Sequence, residues 1–225
     1  YGTPGEEGGE NGSAKGSYVK AGFFQDVDAA LCAHPAHKFA PTLRLLANAP
    51  VDIEFFGRAS HAAGAPEAGI NALEALIQVF NSINALRLNL TKDVNIHGII
   101  TNGGQAANVI PEYASGRFYL RAAERKTLES VYQKVENIVK GAALATGCDY
   151  KFGLFQNWVD DVVPTPLFDQ LFFQEVADYG IDESEIERSE RNSLGSSDVG
   201  NVSQVVPTIQ PTVSISDSPI PGHSE

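Results

Sequence analysis

The hydrophobic patterns between Pro50 and Gln156 constrain the fold of this 225-residue chain more than any other feature. Alternating apolar residues predict four strands, and apolar residues at helical spacing predict two helices, the second capped by Thr127. In chain order these are strand 51–57, helix 65–87, strand 94–104, strand 115–123, helix 127–147 and strand 149–155. This order is the split βαβ pattern of a ferredoxin-like sandwich. We therefore predict a ferredoxin-like domain over residues 50–156.

The segments on either side, 1–49 and 157–225, are predicted to form one discontinuous α/β domain into which the ferredoxin-like domain is inserted. The predicted elements are a helix within 13–24 that ends near Gly22, a strand buried on both faces at 27–35, a helix at 165–180 that starts near Pro166, and a glycine-serine turn leading into an apolar strand within 193–215. The fold class is therefore α/β with an inserted domain.

Composition excludes some function classes. The net charge of −12 argues against a nucleic-acid partner, which requires a basic surface. No apolar run is long enough to predict a membrane span. Two cysteines do not form a disulfide framework, so a reducing cytoplasm is the expected location. The abrupt start and the absence of methionine favour a chain that is truncated at both ends.

Two adjacent carboxylates, Glu6 and Glu7, lie in the glycine-rich opening "YGTPGEEGGENGSAKG". Neighbouring side chains on a turn point in different directions, so one can bind a metal while the other acts as a general base. Taken alone, however, the pair is better explained as a solvated acidic loop. Its interpretation depends on the histidines.

His34 ends the predicted strand at 27–35, where a strand of an α/β sheet delivers side chains to its carboxyl edge. Imidazole is the commonest ligand for zinc-like ions, and His223 follows a later strand. Either histidine could instead be structural, and the residues alone leave both interpretations open.

Other polar residues lie in apolar or small-residue surroundings. Such positions either find internal partners or face a functional cleft. They are His61 in "GRASHAAGAPEAG", Asn108 in "AANVIP", Arg121 in "FYLRAA" and the stretch "GSSD" at 195–198. Arg121 has the geometry to hold a carboxylate, but an ordinary strand arginine is an equal alternative. The "GSSD" stretch could bind an anion through its backbone or cap a helix.

Six stretches in order resemble one family: "GTPGEEGGENGSAKG", "VDAALCAHP", "FFGRASHAAGAPEAGINAL", "HGIITNGGQAANVIPEYASGRFYLRA", "GSSDVGNVSQVVPTIQP" and "GHSE". It is the co-catalytic zinc metallopeptidase and amidohydrolase family of aminoacylase, glutamate carboxypeptidase and succinyl-diaminopimelate desuccinylase. The chain looks most similar to the branch of aminobenzoyl-glutamate hydrolases and β-alanyl-dipeptide hydrolases. The resemblance implies a zinc-peptidase-like catalytic domain with an inserted ferredoxin-like lid that forms a homodimer.

The resemblance also implies roles for individual residues. Glu6 looks like the general base that takes a proton from a metal-bridging water, whereas Glu7, His34 and His223 match metal ligands. His61 and Asn108 match lid residues that steady the scissile carbonyl, in related dimers from the other protomer.

Arg121 matches the arginine that grips the substrate carboxylate, and Gly195 and Ser196 match the loop lining that pocket. The implied cofactors are two divalent ions, with zinc expected and manganese or cobalt suited to the same ligands. The remaining ligands are expected upstream of Tyr1.

The implied reaction is hydrolysis of the amide bond in an N-acyl amino acid or a dipeptide. The alternative is a non-catalytic dimeric relative that binds ligands without a complete metal centre.

Overall fold

The computed structural model describes residues 12–189 and 193–219. The helices are α1 (Ala14–Lys20), α2 (Ala72–Arg87), α3 (Arg125–Thr146), α4 (Pro166–Asp178) and α5 (Val199–Ser203). The strands are β1 (Ala30–Leu31), β2 (His34–Ala36), β3 (Ala47–Phe56), β4 (Ser60–His61), β5 (Asn95–Asn102), β6 (Val109–Ile110), β7 (Tyr113–Ala122), β8 (Asp149–Leu154), β9 (Thr208–Ile209) and β10 (Thr212–Ser214). The chain is therefore mixed α/β, as predicted.

Backbone contacts divide the described residues into two units. The central unit comprises Asn48–Trp158 together with Gly12. The flanking unit comprises Ser13–Ala47 and the described residues from Val159 onward. The central unit therefore comes almost entirely from one continuous segment, whereas the flanking unit is built from two segments far apart in sequence.

A four-stranded sheet in the order β5-β7-β3-β8 organises the central unit. β5 pairs antiparallel with β7, and β3 pairs antiparallel with β8. Helices α2 and α3 contact each other, and both pack on β7. The fully buried apolar side chains of the central unit come from these strands and helices, and include Val51, Ile53, Phe55, Leu76, Val79, Ile83, Phe118, Leu120, Leu128, Val131 and Val135.

The sequence accounts for this packing directly. From Val51 to Phe56 in β3, buried residues alternate with half-buried ones, so one face of this part of the strand joins the core. The α2 helix starts where the Asn71 side chain accepts a hydrogen bond from the Glu74 amide, and α3 ends at Gly147, whose φ of 77° is left-handed.

Two details of the central unit differ from prediction. The α3 helix begins at Arg125 with Glu124 as the N-cap residue, so Thr127 lies inside the helix and does not cap it. Pro66 begins a short 3₁₀ turn, Pro66–Ala68, rather than α2 itself. In both cases a second start signal lies nearby, and helix boundaries are the least certain part of a pattern.

The flanking unit has much shorter elements. β1 pairs parallel with β9, β2 pairs parallel with β10, and α1 packs against α5. Side-chain hydrogen bonds connect its distant segments: the Asp169 carboxylate accepts from the Thr42 amide at 3.1 Å and from the Thr42 hydroxyl at 2.8 Å. Asn201 donates through Nδ2 to Asp160 at 2.8 Å.

Two predictions for this unit are corrected. The strand predicted at 27–35 is not buried on both faces, because β1 and β2 are separate two- and three-residue strands with exposed residues, including Leu31. The stretch 193–215 forms α5 before β9 and β10, rather than leading directly into one strand. The helix predicted to end near Gly22 is α1, which ends at Lys20, shortly before Gly22 with its φ of 79°.

Among the residues that the structure describes, none of the helices is long and apolar enough to cross a membrane.

Candidate functional site

His34 is the first residue of β2, where its backbone amide donates to the Pro211 carbonyl at 2.9 Å. The side chain is exposed, and its Nδ1 lies 2.9 Å from the carbonyl oxygen of Pro35. Because a carbonyl can only accept, Nδ1 carries the proton in this bond. Nε2 is then left with a lone pair, which is the tautomer that a metal-binding histidine uses.

The Gly195–Asp198 loop is held at its two ends. The Gly195 carbonyl accepts from the Leu46 amide at 2.9 Å. At the other end, Asp198 is 7% exposed, and its carboxylate accepts from the Lys15 amide at 3.0 Å and from Lys15 Nζ at 2.9 Å. Between these anchors, the buried hydroxyl of Ser196 has no hydrogen-bond partner among the described residues.

The structure brings His61 and Asn108 together. β4 and β6 pair antiparallel with His61 opposite Val109, and the Ala62 amide donates to the Asn108 carbonyl at 3.0 Å. Both side chains are exposed. The strand pairing therefore places two residues that are distant in sequence beside each other.

Local backbone fixes the His61 ring. Its Nδ1 accepts from the amides of Ala63 and Gly64 at 3.2 and 3.0 Å, so the proton of the neutral ring is on Nε2. A cleft of about 380 Å³ borders this region and is lined by Ala62, the glycine pair Gly103 and Gly104, and other residues around β6. The histidine thus presents an N–H donor at an exposed position.

Arg121 lies on β7 opposite Asn95 and is half-buried. Its guanidinium carbon is 5.5 Å from the centre of the Tyr119 ring, which places the cation over an aromatic face. Its buried Nε has no hydrogen-bond acceptor among the described residues. The site therefore holds a cation with unused donor capacity.

A second arginine on the same strand differs. Arg117 forms a bidentate pair with Asp52, at 2.7 and 2.8 Å, and these hydrogen bonds raise the pKa of Arg117. Its guanidinium also stacks 3.9 Å from the centre of the Phe155 ring. Of the two arginines, Arg121 is the one whose Nε is left for an external anion.

The predicted metal ligands are only partly within the described chain. Glu6, Glu7 and His223 lie outside the described residues. Within residues 12–189 and 193–219, there is no group of three histidine, cysteine or carboxylate side chains that could hold a metal ion. His34 is therefore the one predicted ligand whose geometry can be described.

Sequence reasoning missed the Lys15–Asp198 pair. The helix-cap alternative for "GSSD" does hold for Asp198, but the helix it caps is α1, at the other end of the chain. The Tyr119 ring beneath Arg121 was also missed. The i, i+2 spacing of these two residues on a strand was the available signal, since such residues share a face.

Similarity to known proteins identifies the class of protein to which this chain belongs. Residues 48–146 match the family model of the M20 peptidase dimerisation domain. The fold is similar to that of an aminobenzoyl-glutamate utilization protein from Klebsiella pneumoniae, with a TM-score of 0.72 over 86% of this chain and 52% of that one, at 21% identity.

Together with the 34% identity to a curated dipeptidase over 93% of the chain, this match shows that the chain belongs to the M20 peptidase family, which confirms the resemblance seen in its motifs. It is 34% identical over 210 residues to the Xaa-Arg dipeptidase of Mus musculus, covering 93% of this chain and 48% of that protein. It is 35% identical over 186 residues to one of the p-aminobenzoyl-glutamate hydrolase subunits of Escherichia coli, covering 81% of this chain and 38% of that protein. The chain therefore spans about half the length, or less, of these curated relatives.

Proposed function

We propose that the whole protein is a metal-dependent hydrolase of the amide bond in N-acyl or N-aminoacyl amino acids, such as aminobenzoyl-glutamate-like compounds or dipeptides. The reaction class is supported by the likeness to a dipeptidase over 93% of the chain and to an aminobenzoyl-glutamate hydrolase over 81%. Arg121, His61 and Asn108 account for how this chain would bind such a substrate.

The observation that carries the substrate class is the unpartnered Nε of Arg121. A planar guanidinium forms two parallel hydrogen bonds with a carboxylate, and Arg121 has a buried donor with no acceptor among the described residues. Arg117, four residues earlier, is already occupied by Asp52. In this proposal Arg121 binds the free carboxylate of the substrate, and Gly195 and Ser196 belong to a loop that is assigned to substrate binding.

His61 and Asn108 orient the scissile carbonyl. The two backbone amides that bind His61 Nδ1 leave Nε2–H as the donor, and a donor aimed at a carbonyl oxygen stabilises the charge that develops there. The pairing of β4 with β6 keeps Asn108 next to this histidine. These side chains therefore bind and polarise the substrate in the proposed reaction.

The metal site is assigned to Glu7, His34 and His223, with Glu6 as the general base. The tautomer of His34 fits this role, since Nε2 carries the lone pair. Two divalent ions, with zinc expected, would polarise the carbonyl and lower the pKa of water toward neutrality. Glu6 then takes the proton from water and passes it to the leaving amine.

The remaining assignments concern architecture. We assign residues 50–156 to an inserted ferredoxin-like lid that forms the homodimer, and residues 1–49 and 157–225 to the catalytic domain. The β-α-β-β-α-β order of the long elements, the strand order β5-β7-β3-β8 and the match to a peptidase dimerisation domain support this assignment. The free thiols of Cys32 and Cys148 support a cytoplasmic location.

The decisive experiment is Glu6→Gln in the intact protein. We expect turnover of dipeptides and N-acyl amino acids to be abolished while the bound metal, measured by elemental analysis, stays close to the wild-type content. The amide is nearly isosteric with the carboxylate but cannot take up the proton. Retained turnover would contradict the role of Glu6, and an intact protein without metal or turnover would favour the non-catalytic relative.

A further inference from the structure

The start of α1 is unusual in its backbone conformation and in how its backbone amides find hydrogen-bond acceptors. Ser13, the N-cap residue, has φ 61° and ψ 54°, and it is the single non-glycine residue with positive φ in the described chain. Its side chain makes no capping hydrogen bond. A left-handed conformation is costly for a residue with a side chain, so the surrounding contacts must hold it there.

Asp198 supplies the missing cap from 183 residues away. One carboxylate oxygen accepts from the Lys15 amide at 3.0 Å, and the other accepts from Lys15 Nζ at 2.9 Å. Both side chains are largely buried, at 20% exposed for Lys15 and 8% for Asp198. A buried ion pair with two charge-assisted hydrogen bonds fixes geometry more firmly than a surface pair.

This pair joins two segments that the proposed reaction uses. Lys15 follows the Glu6–Glu7 pair in the same glycine-rich motif. Asp198 is the last residue of the Gly195–Asp198 loop, whose other end is bound through the Gly195 carbonyl. The unpartnered hydroxyl of Ser196 lies between these two anchors.

We propose that Lys15 and Asp198 are positioning residues, a clamp that holds the Gly195–Ser196 substrate loop in place and ties it to the start of α1. The clamp acts through the loop and does not touch the substrate. This inference rests on the proposed function for the role of the loop, whereas the clamp itself depends only on the contacts of Ser13, Lys15 and Asp198.

The test compares Asp198→Asn and the double variant Lys15→Met/Asp198→Asn with Lys15→Arg in the intact protein. We expect KM for a dipeptide or an N-acyl amino acid to rise about tenfold or more in the first two, because small displacements of binding groups are costly. The kcat value should change less than KM. Lys15→Arg, which keeps the charge and the amide, should stay near the wild-type KM.

The second measurement is independent of activity. Amide hydrogen exchange of residues 13–20 should accelerate at least tenfold in Asp198→Asn, since the Lys15 amide loses its charged acceptor. Arg188→Met serves as the matched control, because it breaks the exposed ion pair with Glu183 in the same unit and should change neither KM nor this exchange.

The outcomes separate the two proposals. Faster exchange together with a raised KM supports the clamp as a positioning device. Faster exchange with a wild-type KM would overturn it, since the pair would then be only a helix cap, and so would wild-type exchange in a folded Asp198→Asn protein. If the wild-type protein hydrolyses no dipeptide or N-acyl amino acid, the proposed function fails, whereas unchanged exchange would refute the clamp alone.

Discussion

The central and flanking units are stabilised in different ways. The central unit has strands of up to ten residues and helices of up to 22, and its fully buried side chains are mainly apolar. The described strands of the flanking unit have two or three residues, apart from the first residue of β3, and their segments are joined by buried polar side chains such as Asp169, Asp198 and Asn201.

The two units therefore differ in how much of their packing is visible in the sequence. A regular element repeats its pattern every 2 or 3.6 residues, so a packed face is visible in the sequence. A hydrogen bond between residues 127 positions apart, such as Thr42 to Asp169, leaves no periodic signal. The central unit should therefore respond most to loss of apolar volume, and the flanking unit to loss of single polar partners.

The largest effect is expected from Phe118→Ala in the central core. Phe118 is 1% exposed, lies over Gly98 on the neighbouring strand and packs 4.9 Å from the Phe80 ring. We expect a loss of about 3–5 kcal/mol in the free energy of unfolding, measured by denaturant titration. Leu144→Ala on α3, where the side chain is 87% exposed, is the control and should have little effect.

The opposite face of the same sheet should behave differently. Arg121→Met removes a cation whose Nε has no acceptor among the described residues, so stability should hardly fall. KM should rise by roughly 10- to 100-fold, as expected for a lost charged hydrogen bond of about 1.5–3 kcal/mol. Arg117→Met is the comparison: a similar rise in KM there would refute the special role of Arg121.

In the flanking unit, Asp169→Ala should cost about 1–3 kcal/mol, because it leaves the Thr42 amide and hydroxyl without their acceptor. Asp178→Ala on the same helix changes an exposed aspartate and controls for helix propensity. Equal stability of the two variants would show that polar links do not hold this unit together. The measurement is again denaturant titration.

The predictability of the fold follows the same division. All six long elements of the central unit were expected in their observed order, because alternation in β3 and β7 and helical spacing in α2 and α3 report burial directly. In the flanking unit the predicted strand at 27–35 became β1 and β2, and α5 was missed. Short elements contain too few residues for a period to appear.

The site shows a similar limit. His61, Asn108 and Arg121 could be selected as candidates because each is polar within small or apolar sequence. Their contacts depend on strand register, backbone turns and residues such as Tyr119, which no local pattern specifies. Asp198 could be noticed, but its partner Lys15 could not, since the two are joined only in the folded chain.

A smaller effect, of opposite sign, is expected at Ser13. Ser13→Gly should raise the free energy of unfolding by about 0.5–1 kcal/mol, because glycine adopts the left-handed conformation without steric cost. Gly22, with φ 79°, offers the reverse control: Gly22→Ala should destabilise by a similar amount. A destabilised Ser13→Gly protein would mean that the serine side chain contributes more than its backbone strain costs.

The smallest effect is expected on the pH dependence of the unfolding free energy, through an ion pair on α3. A hydrogen bond from Lys140 at 2.8 Å lowers the pKa of Glu136 below its ordinary value, with a further contribution from Gln133. A lowered carboxylate pKa adds stability above the unfolded-state value and loses it as pH falls through the folded-state value. Glu136→Gln should therefore flatten the decline in unfolding free energy between about pH 5 and pH 3.

Lys140→Met should flatten the same decline, because it removes the partner that lowers the pKa of Glu136. If the pH dependence of either variant matched the wild type, the Glu136–Lys140 pair would not contribute to the loss of stability in this pH range.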